Sequence, residues 1–280
     1  MTNLDNRYLI ASDLDGTLLT DDKKLKLKTK LYLKKLDENG NIVVLSTGRP
    51  VRTTIPFYKE LKINSPIICY NGAYSFNPND PSFKAISYPI KKEVIIEHYS
   101  YFKEHFADSV LCESLDYIYY DGKKEIFGFT LIRDTNDPKY MPIEIDGDIA
   151  KNLKDDVYCF ILHSLNHTEE FVKEVKEYVA KNMPDYIVDF WNENRYFEIR
   201  HKGVNKASTI KKINELYKIK EDNILTFGDS TNDKELVSSF KYGFGMKNGK
   251  DFLKTNNSTK KDNNHNGVVS EIKSFLRSRA

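Results

Sequence analysis

The first seventy residues alternate short apolar runs with helical stretches, and this alternation constrains the fold more than any other feature of the chain. The apolar runs lie at residues 8–12, 42–46 and 66–70, and the helical stretches between them at 24–39 and 50–61. Strand–helix–strand alternation is typical of a parallel, doubly wound sheet. We therefore predict an α/β fold.

Two carboxylates, Asp13 and Asp15, follow the first predicted strand in the segment DLDGTL at residues 13–18. In extended backbone, residues i and i+2 point to the same side, so two ionised carboxylates repel each other unless a cation or a shared proton relieves them. Carboxylates beside a hard cation suit phosphate chemistry. The alternative is a solvated acidic turn at the end of a strand.

A second acidic turn lies far downstream, in ILTFGDSTND at residues 224–233. A short apolar strand is again followed by an acidic residue, Asp229, and Asn232 and Asp233 come shortly after it. The alternative is a local turn whose side chains bond to their own backbone. Because the ends of parallel strands lie along one edge of a sheet, both acidic turns can converge there.

The strand predicted at residues 42–46 leads into Thr47, Gly48, Arg49 and Pro50. Proline at the start of a helix and forward-facing N–H groups are typical of a phosphate-binding turn. Thr47 could instead cap the helix. Arg49 could reach a substrate or bond to a neighbouring carboxylate.

Lys206 lies in the first turn of a helix predicted to run through Ile210, Ile213 and Tyr217. A lysine there opposes the helix macrodipole, so its charge is unfavourable unless an anion is nearby. A surface lysine is the alternative in a lysine-rich chain.

These four segments together resemble the active-site motifs of the haloacid dehalogenase (HAD) superfamily. Their order and spacing further resemble the Cof-like branch with a large α/β cap of the C2 type, and Asn71-Gly72-Ala73 is similar to that branch's NGA turn. The resemblance implies a Rossmann-like core at residues 1–79 and 197–280. It also implies a cap at residues 80–196 that closes over the substrate.

The resemblance assigns a role to each motif residue. Asp13 would be the nucleophile that becomes an aspartyl-phosphate, and Asp15 the general acid and base. The implied phosphate ligands are Thr47, the Gly48 amide, Lys206 and Asn232. Mg²⁺ prefers oxygen ligands. The implied ligands are the Asp13 and Asp229 carboxylates and the Asp15 carbonyl, and Asp233 would either bind the ion directly or bond to one of its ligands.

The expected function is a Mg²⁺-dependent phosphatase acting on small phosphorylated metabolites, either sugar phosphates or phosphorylated cofactors such as flavin or pyridoxal phosphates. A phosphohexomutase has the same catalytic set but retains the phosphoryl group, so detection of free phosphate separates the two. A regulator that binds a phosphorylated metabolite without turnover is a third possibility. The intact set of motif residues argues against it.

Composition agrees with these expectations. A chain of 280 residues predicts two compact units, and 43 basic against 41 acidic side chains give no footprint of a nucleic-acid binder. The cysteines, Cys69, Cys112 and Cys159, lie apart in apolar runs, which predicts buried thiols rather than a disulfide framework or zinc site. No signal peptide or membrane span is recognisable, so we expect a cytoplasmic protein, and no protein partner is evident.

The predicted cap begins after the turn-rich residues 77–81 and ends near Tyr196. Its aromatic residues could line a substrate pocket, although aromatics on strands are more often core residues; they are Tyr117, Tyr119, Tyr120, Phe127, Phe129, Tyr140 and Trp191. The sequence departs from the family pattern at residues 245–249 and 255–267. The second of these segments is polar, and we expect it to have too little apolar surface to order itself.

Overall fold

The computed structural model describes residues 7–128, 137–254 and 257–279. The strands in these residues are β1 (Leu9–Ser12), β2 (Ile42–Ser46), β3 (Ile67–Cys69), β4 (Tyr74–Phe76), β5 (Ile86–Ser87), β6 (Ser109–Glu113), β7 (Tyr117–Asp121), β8 (Ile143–Asp146), β9 (Cys159–His163), β10 (Tyr186–Trp191), β11 (Tyr196–His201), β12 (Ile224–Gly228) and β13 (Tyr242–Gly245). The α-helices are α1 (Leu27–Glu38), α2 (Val51–Leu61), α3 (Lys92–His105), α4 (Ile149–Asn152), α5 (Glu169–Asn182), α6 (Lys206–Tyr217), α7 (Lys234–Ser238) and α8 (Gly267–Arg277).

The chain divides into two compact units. The first contains the residues up to 50, 54–87 and those from 205 on, and the second contains 51–53 and 88–204. Both divisions lie later in the chain than the boundaries after residues 79 and 196 that the sequence suggested. That the second unit acts as a cap stays a prediction.

A seven-stranded sheet forms the centre of the first unit, in the order β13-β12-β1-β2-β3-β4-β5. The strands from β13 to β3 run parallel to their neighbours. β4 and β5 were not predicted, and they extend the sheet in antiparallel fashion beyond β3. The α/β fold expected from the alternation is confirmed.

Apolar packing explains why the central strands were recognisable. Every residue of β1 is buried. Leu9 and Ala11 belong to an apolar cluster with Ile210 and Ile213 of α6 and with Leu236 of α7. A parallel strand in the middle of a sheet is covered on both faces, so its sequence is a continuous apolar run.

The register of the parallel strands brings distant segments to one edge. Ser12, the last residue of β1, pairs with Phe227 of β12 on one side and with Leu45 of β2 on the other. The segments that follow β1, β2 and β12 therefore begin side by side. They are the segments that carry the acidic and phosphate-binding motifs.

A six-stranded sheet forms the second unit, in the order β10-β11-β9-β6-β7-β8. Its pairs are antiparallel except β7 with β8. Helices α3 and α5 pack on one face of this sheet, where Tyr99 and Phe102 of α3 and Phe171 and Val175 of α5 join a single apolar cluster.

Strand pairing explains both divisions between the units. β5 follows the turn at residues 77–81 but pairs with β4, so this part of the chain remains in the first sheet. β11 starts at Tyr196 and pairs with β9 and β10, so it belongs to the second sheet. Our assignment of residues 197–201 to the core therefore needs correction.

Three of the aromatic residues considered for a pocket are almost fully buried in the second unit. Tyr119 is 0% exposed, and Tyr120 and Phe127 are each 1% exposed. Their burial favours the core interpretation for these three side chains. Phe129 lies outside the described residues.

The polar segment expected to lack order is ordered over residues 257–267. Asn263 is buried, and its Nδ2 donates to the Leu19 carbonyl oxygen at 3.0 Å and to Asp21 Oδ1 at 2.9 Å. Thr259 Oγ1 donates to the Lys261 carbonyl oxygen at 2.7 Å. The expectation was wrong because hydrogen bonds, rather than apolar burial, fix this segment; residues 255 and 256 lie outside the described residues.

The cysteines agree with the sequence prediction. Cys69, Cys112 and Cys159 are buried free thiols. None of the helices in residues 7–128, 137–254 and 257–279 has the length and apolar character needed to cross a membrane. The cytoplasmic location stays a prediction.

Candidate active site

A tight turn at Leu14–Leu18 follows β1 and leads the chain past the acidic loop after β12. Gly16 within it has φ of 71°, a conformation that favours glycine. A Cβ on Gly16 would lie 2.4 Å from Asp229 Oδ2. Thr17 Oγ1 donates to Asp229 Oδ1 at 2.9 Å, so the two loops are joined directly.

Three carboxylates gather where these loops meet. Asp13, Asp229 and Asp233 each offer one oxygen, and these oxygens lie within 4.8 Å of one another. Asp13 is 5% exposed and Asp233 is fully buried. The two acidic turns predicted to converge therefore do so, and the alternative of a solvated turn at Asp13 is wrong. The second turn does bond to its own backbone, through Asp233, and it also joins the cluster.

Lys206 supplies the positive charge of this cluster. It is the first residue of α6, whose start is fixed by a capping box between Asn205 and Ser208. Its Nζ donates to Asp13 Oδ1 at 2.7 Å and to Asp233 Oδ1 at 2.6 Å, and its side chain is fully buried. The alternative of a surface lysine is therefore wrong.

Asp233 holds the acidic loop in shape. Its Oδ2 accepts hydrogen bonds from the backbone N–H of Asp229 at 3.0 Å and of Ser230 at 3.1 Å, while Oδ1 accepts from Lys206. Both oxygens are thus engaged by protein donors. This arrangement suits a residue that orients Asp229 better than one that binds a metal itself.

The electrostatics of the cluster favour a cation. Burial raises the pKa of Asp13 well above its ordinary value, and the charges of Asp233 and Asp229 add to the rise against the opposing effect of Lys206. Burial and the charge of Asp233 raise the pKa of Asp229 to about 6. One lysine faces three carboxylates, and an oxygen-only donor set with excess negative charge fits Mg²⁺.

Thr47 and Gly48 lie in the turn after β2, at the same edge of the sheet as the acidic cluster. Thr47 is 1% exposed, and its N–H donates to the Ile68 carbonyl oxygen at 2.9 Å. Its Oγ1 accepts from the Arg49 N–H at 3.1 Å. Helix α2 begins at Val51 after Pro50, without a side-chain cap, so Thr47 does not act as the cap of this helix.

Asp15 lies in a separate ion cluster. Its Oδ2 accepts from Arg49 Nε at 2.6 Å, and its Oδ1 from Arg49 Nη2 at 2.9 Å and from Lys23 Nζ at 2.8 Å. Burial opposes ionisation of Asp15, but hydrogen bonds from Arg49 and Lys23 outweigh it and lower its pKa to about 2. Of the two roles considered for Arg49, the structure therefore shows the bond to a neighbouring carboxylate.

Lys23 was not recognised from the sequence. It follows two aspartates and precedes another lysine, which looks like an ordinary charged surface turn. Its φ of 59° places it in the left-handed region, which the residue type does not predict.

Asn71 was noted only for its resemblance to the family's turn, but it lies between two predicted phosphate ligands. Asn232 Nδ2 donates to Asn71 Oδ1 at 2.9 Å. A Cβ on Gly48 would lie 2.8 Å from the same oxygen. Asn71 therefore links the turn after β2 to the loop after β12.

Asn248 was missed. Its Nδ2 donates to the Gly16 carbonyl oxygen at 2.7 Å, and its Oδ1 accepts from the Asn263 N–H at 3.1 Å. A Cβ on the next residue, Gly249, would lie 2.8 Å from the Asp229 Cα. The segment at residues 245–249, where the sequence departs from the family pattern, thus contacts both acidic loops.

All of the site residues named from the sequence lie in the first unit. Asp13, Asp229, Asp233 and Lys206 form one cluster with direct contacts. The remaining four adjoin it through other residues, and they are Asp15, Thr47, Gly48 and Asn232.

Comparison with known proteins agrees with the family resemblance of the sequence motifs. A family model described as haloacid dehalogenase-like hydrolase matches residues 10–272. The 5-amino-6-(5-phospho-D-ribitylamino)uracil phosphatase YitU of Bacillus subtilis is 31% identical over 278 residues, which cover 96% of this chain and 97% of that protein. The phosphatase of the same description from Escherichia coli, YbjI, is 23% identical, with 97% of each chain covered.

The fold also matches a solved structure. A haloacid dehalogenase-like hydrolase from Bacteroides thetaiotaomicron superposes with a TM-score of 0.78 at 21% identity, with 96% of this chain and all of that chain covered.

Proposed function

This chain belongs to the haloacid dehalogenase-like hydrolases, and from that membership we propose that it is a Mg²⁺-dependent phosphatase working through an aspartyl-phosphate. One observation carries the proposal. The buried Lys206 bonds to Oδ1 of Asp13 at 2.7 Å, and Asp229 lies within the same cluster of oxygens. Because the bond to Lys206 fixes Oδ1, we assign the other oxygen, Oδ2, as the nucleophile.

In the first step, Oδ2 of Asp13 attacks phosphorus and the bond from phosphorus to the leaving oxygen breaks. Asp15 gives its proton to that oxygen, so the product leaves as an alcohol. In the second step, Asp15 takes a proton from water, the water oxygen attacks phosphorus, and Asp13 is released with inorganic phosphate.

The ion pairs of Asp15 favour its ionised form, which is the form that accepts a proton in the second step. Bonded to Arg49 and Lys23, the carboxylate is ionised and ready to accept a proton. Proton donation in the first step requires that Arg49 and Lys23 leave the Asp15 carboxylate and that Asp15 take up a proton from solvent before it bonds to the substrate's leaving oxygen. Arg49 and Lys23 are then available to the anionic substrate.

The non-bridging phosphate oxygens are assigned to Thr47 Oγ1, the Gly48 amide, Lys206 Nζ and Asn232 Nδ2. Phosphoryl transfer depends mainly on positioning and on stabilising charge, and these groups supply both.

The Mg²⁺ ligands are assigned to the Asp13 and Asp229 carboxylates and the Asp15 carbonyl. When bound, the ion reduces the repulsion between Asp13 and the phosphate and stabilises negative charge in the transition state. Asp233 is assigned to orienting Asp229 through the two backbone N–H groups that it accepts.

A small phosphorylated metabolite is the proposed substrate class. YitU and YbjI, which this chain resembles over nearly its full length, are both named for 5-amino-6-(5-phospho-D-ribitylamino)uracil. That compound is therefore the first to test, followed by sugar phosphates and by flavin and pyridoxal phosphates.

The test is phosphate release from this panel by the wild-type protein and by Asp13→Asn. The amide is nearly isosteric with the carboxylate but is a far poorer nucleophile, so we expect loss of turnover with an intact fold. Asp22→Asn, at an exposed aspartate that pairs with Lys24, is the matched control and should retain activity. Turnover by Asp13→Asn would refute the nucleophile assignment, and substrate conversion without free phosphate would indicate a mutase.

A further inference from the structure

The turn between β3 and β4 has an unusual backbone. Three consecutive residues have positive φ, at 50° for Tyr70, 55° for Asn71 and 107° for Gly72. Such conformations are unfavourable for residues with a side chain, and they persist only where the surrounding structure holds them. Contacts of this turn with its neighbours should therefore be specific.

The backbone of the turn bonds to the phosphate-binding segment after β2. The Tyr70 N–H donates to the Arg49 carbonyl oxygen at 3.1 Å, and the Asn71 N–H donates to the Thr47 carbonyl oxygen at 3.1 Å. Two consecutive amides are thus directed at one segment. They fix the carbonyl groups on either side of Gly48.

The same turn also contacts the helix that carries Lys206. Thr209 Oγ1 donates to the Gly72 carbonyl oxygen at 2.8 Å. A Cβ on Gly72 would lie 2.4 Å from the Asn205 carbonyl oxygen, so the turn and the start of α6 pack backbone against backbone.

The Asn71 side chain completes these contacts by reaching the acidic loop. Its Oδ1 accepts from Asn232 Nδ2 at 2.9 Å, and Asn232 is itself exposed. An exposed amide loses side-chain freedom when it binds a ligand, and a fixed partner reduces that loss. The Nδ2 group carries two hydrogens, so one can bond to Asn71 while the other bonds to a phosphate oxygen.

We propose that Asn71 is a positioning residue for phosphate binding, acting through Asn232. The inference rests on the proposed phosphatase function, and it names the side chain that holds one of the assigned phosphate ligands. The left-handed backbone of Tyr70 and Asn71 is the conformation that directs this side chain at Asn232 while the two amides bond to the segment containing Thr47.

The test is a double-mutant cycle with Asn71→Gly and Asn232→Ala. Glycine keeps the positive φ without strain and removes only the side chain. The probes are inorganic phosphate, whose Kd is measured by calorimetry in the presence of Mg²⁺, and the best substrate from the panel.

Asn232→Ala should weaken phosphate binding about tenfold, as expected for loss of a hydrogen bond to a charged group, and Asn71→Gly should weaken it by a smaller factor, because it removes only the bond that positions Asn232. The double variant should be no worse than Asn232→Ala, because both changes remove the same interaction. In Asn71→Gly, KM should rise in parallel with the Kd while kcat stays within about twofold, which indicates lost ground-state binding rather than lost structure.

Lys218→Gly is the matched control. Lys218 is exposed and has φ of 53° at the end of α6, so the substitution makes the same backbone change away from the phosphate ligands. We expect unchanged KM and Kd in this variant.

The outcomes separate the inference from the function on which it rests. Additive losses in the double variant, or normal phosphate binding in Asn71→Gly, would overturn the role of Asn71 and leave the phosphatase assignment intact. A wild-type protein that neither binds phosphate nor hydrolyses any ester of the panel would overturn both.

Discussion

Replacement of Lys206 by methionine should destabilise the protein strongly, and Mg²⁺ should reverse part of the loss. Methionine approximates the length of the lysine stem but carries no charge. The change leaves Asp13 and Asp233, which both bond to Lys206 Nζ, without their cation in a site where the lysine is fully buried.

The expected size follows from the cost of leaving buried charges uncompensated. Removal of one partner of a buried ion pair costs about 3–5 kcal/mol. Folded domains are stable by about 5–15 kcal/mol, so the loss is a large fraction of the total. A cation that binds the folded state at a hundred times its Kd returns about 2.7 kcal/mol.

The assay is urea unfolding followed by far-UV circular dichroism, once with a chelator and once with millimolar Mg²⁺. Lys212→Met is the control, because Lys212 lies on the same helix but its side chain is 52% exposed and it pairs with the exposed Glu215. Its unfolding midpoint should barely change, as for other exposed ion pairs.

Two results would refute this reasoning. If Lys206→Met with chelator unfolds at the same urea concentration as Lys212→Met, the buried ion pairs do not stabilise the fold as described. If Mg²⁺ does not raise the midpoint of Lys206→Met above its value with chelator, the cation does not bind among these carboxylates.

Three further predictions concern the metal. Gly16→Ala should weaken Mg²⁺ binding about tenfold or more in calorimetry, because its Cβ would lie 2.4 Å from Asp229 Oδ2; an unchanged Kd would contradict the close approach of the loops. Asn248→Ala should weaken Mg²⁺ binding in the same assay, since it removes the bond to the Gly16 carbonyl. Asn257→Ala removes hydrogen bonds to backbone carbonyls near β13 and should not weaken Mg²⁺ binding. If both variants weakened Mg²⁺ binding equally, the role given to the bond between Asn248 and Gly16 would be refuted. Finally, Ca²⁺ should compete with Mg²⁺ but support little phosphate release, because calcium readily takes both oxygens of a carboxylate such as Asp13; turnover with Ca²⁺ equal to that with Mg²⁺ would show the geometry to be wrong.

The central sheet was predictable because its parallel strands are continuous apolar runs. β2, predicted at residues 42–46, is observed at Ile42–Ser46. β4 and β5 were missed because they have only three and two residues, too few to show a strand pattern. Strands of this length are defined by pairing with a neighbour rather than by their own sequence.

β11 was missed although a signal was present. In Tyr196–His201, the buried Phe197 and Ile199 alternate with Glu198 and Arg200. That is the pattern of a strand with one face in a core. The sequence analysis instead ended the cap near Tyr196, where this strand begins.

The site was predictable where a motif is local and unpredictable where it depends on distant contacts. The turn containing Asp13 and Asp15 can be recognised from six consecutive residues. The bond between Asn71 and Asn232 joins residues 161 positions apart, and the bond between Asn248 and Gly16 joins residues 232 apart. A polar side chain in a loop gives no indication of such a partner.

The insertion of the second unit into the first has a consequence for synthesis on the ribosome. β1 lies between β2 and β12, and the loops after β1 and β12 touch through Thr17 and Asp229, 212 residues apart. At a bacterial or eukaryotic elongation rate of about 5–20 residues per second, β1 waits roughly 10–40 s for this neighbour. The second unit emerges complete within that interval and is free to fold first. Meanwhile the edge of β1 that will pair with β12 has unpaired backbone N–H and C=O groups, so the nascent first unit is the part of the chain most in need of a chaperone.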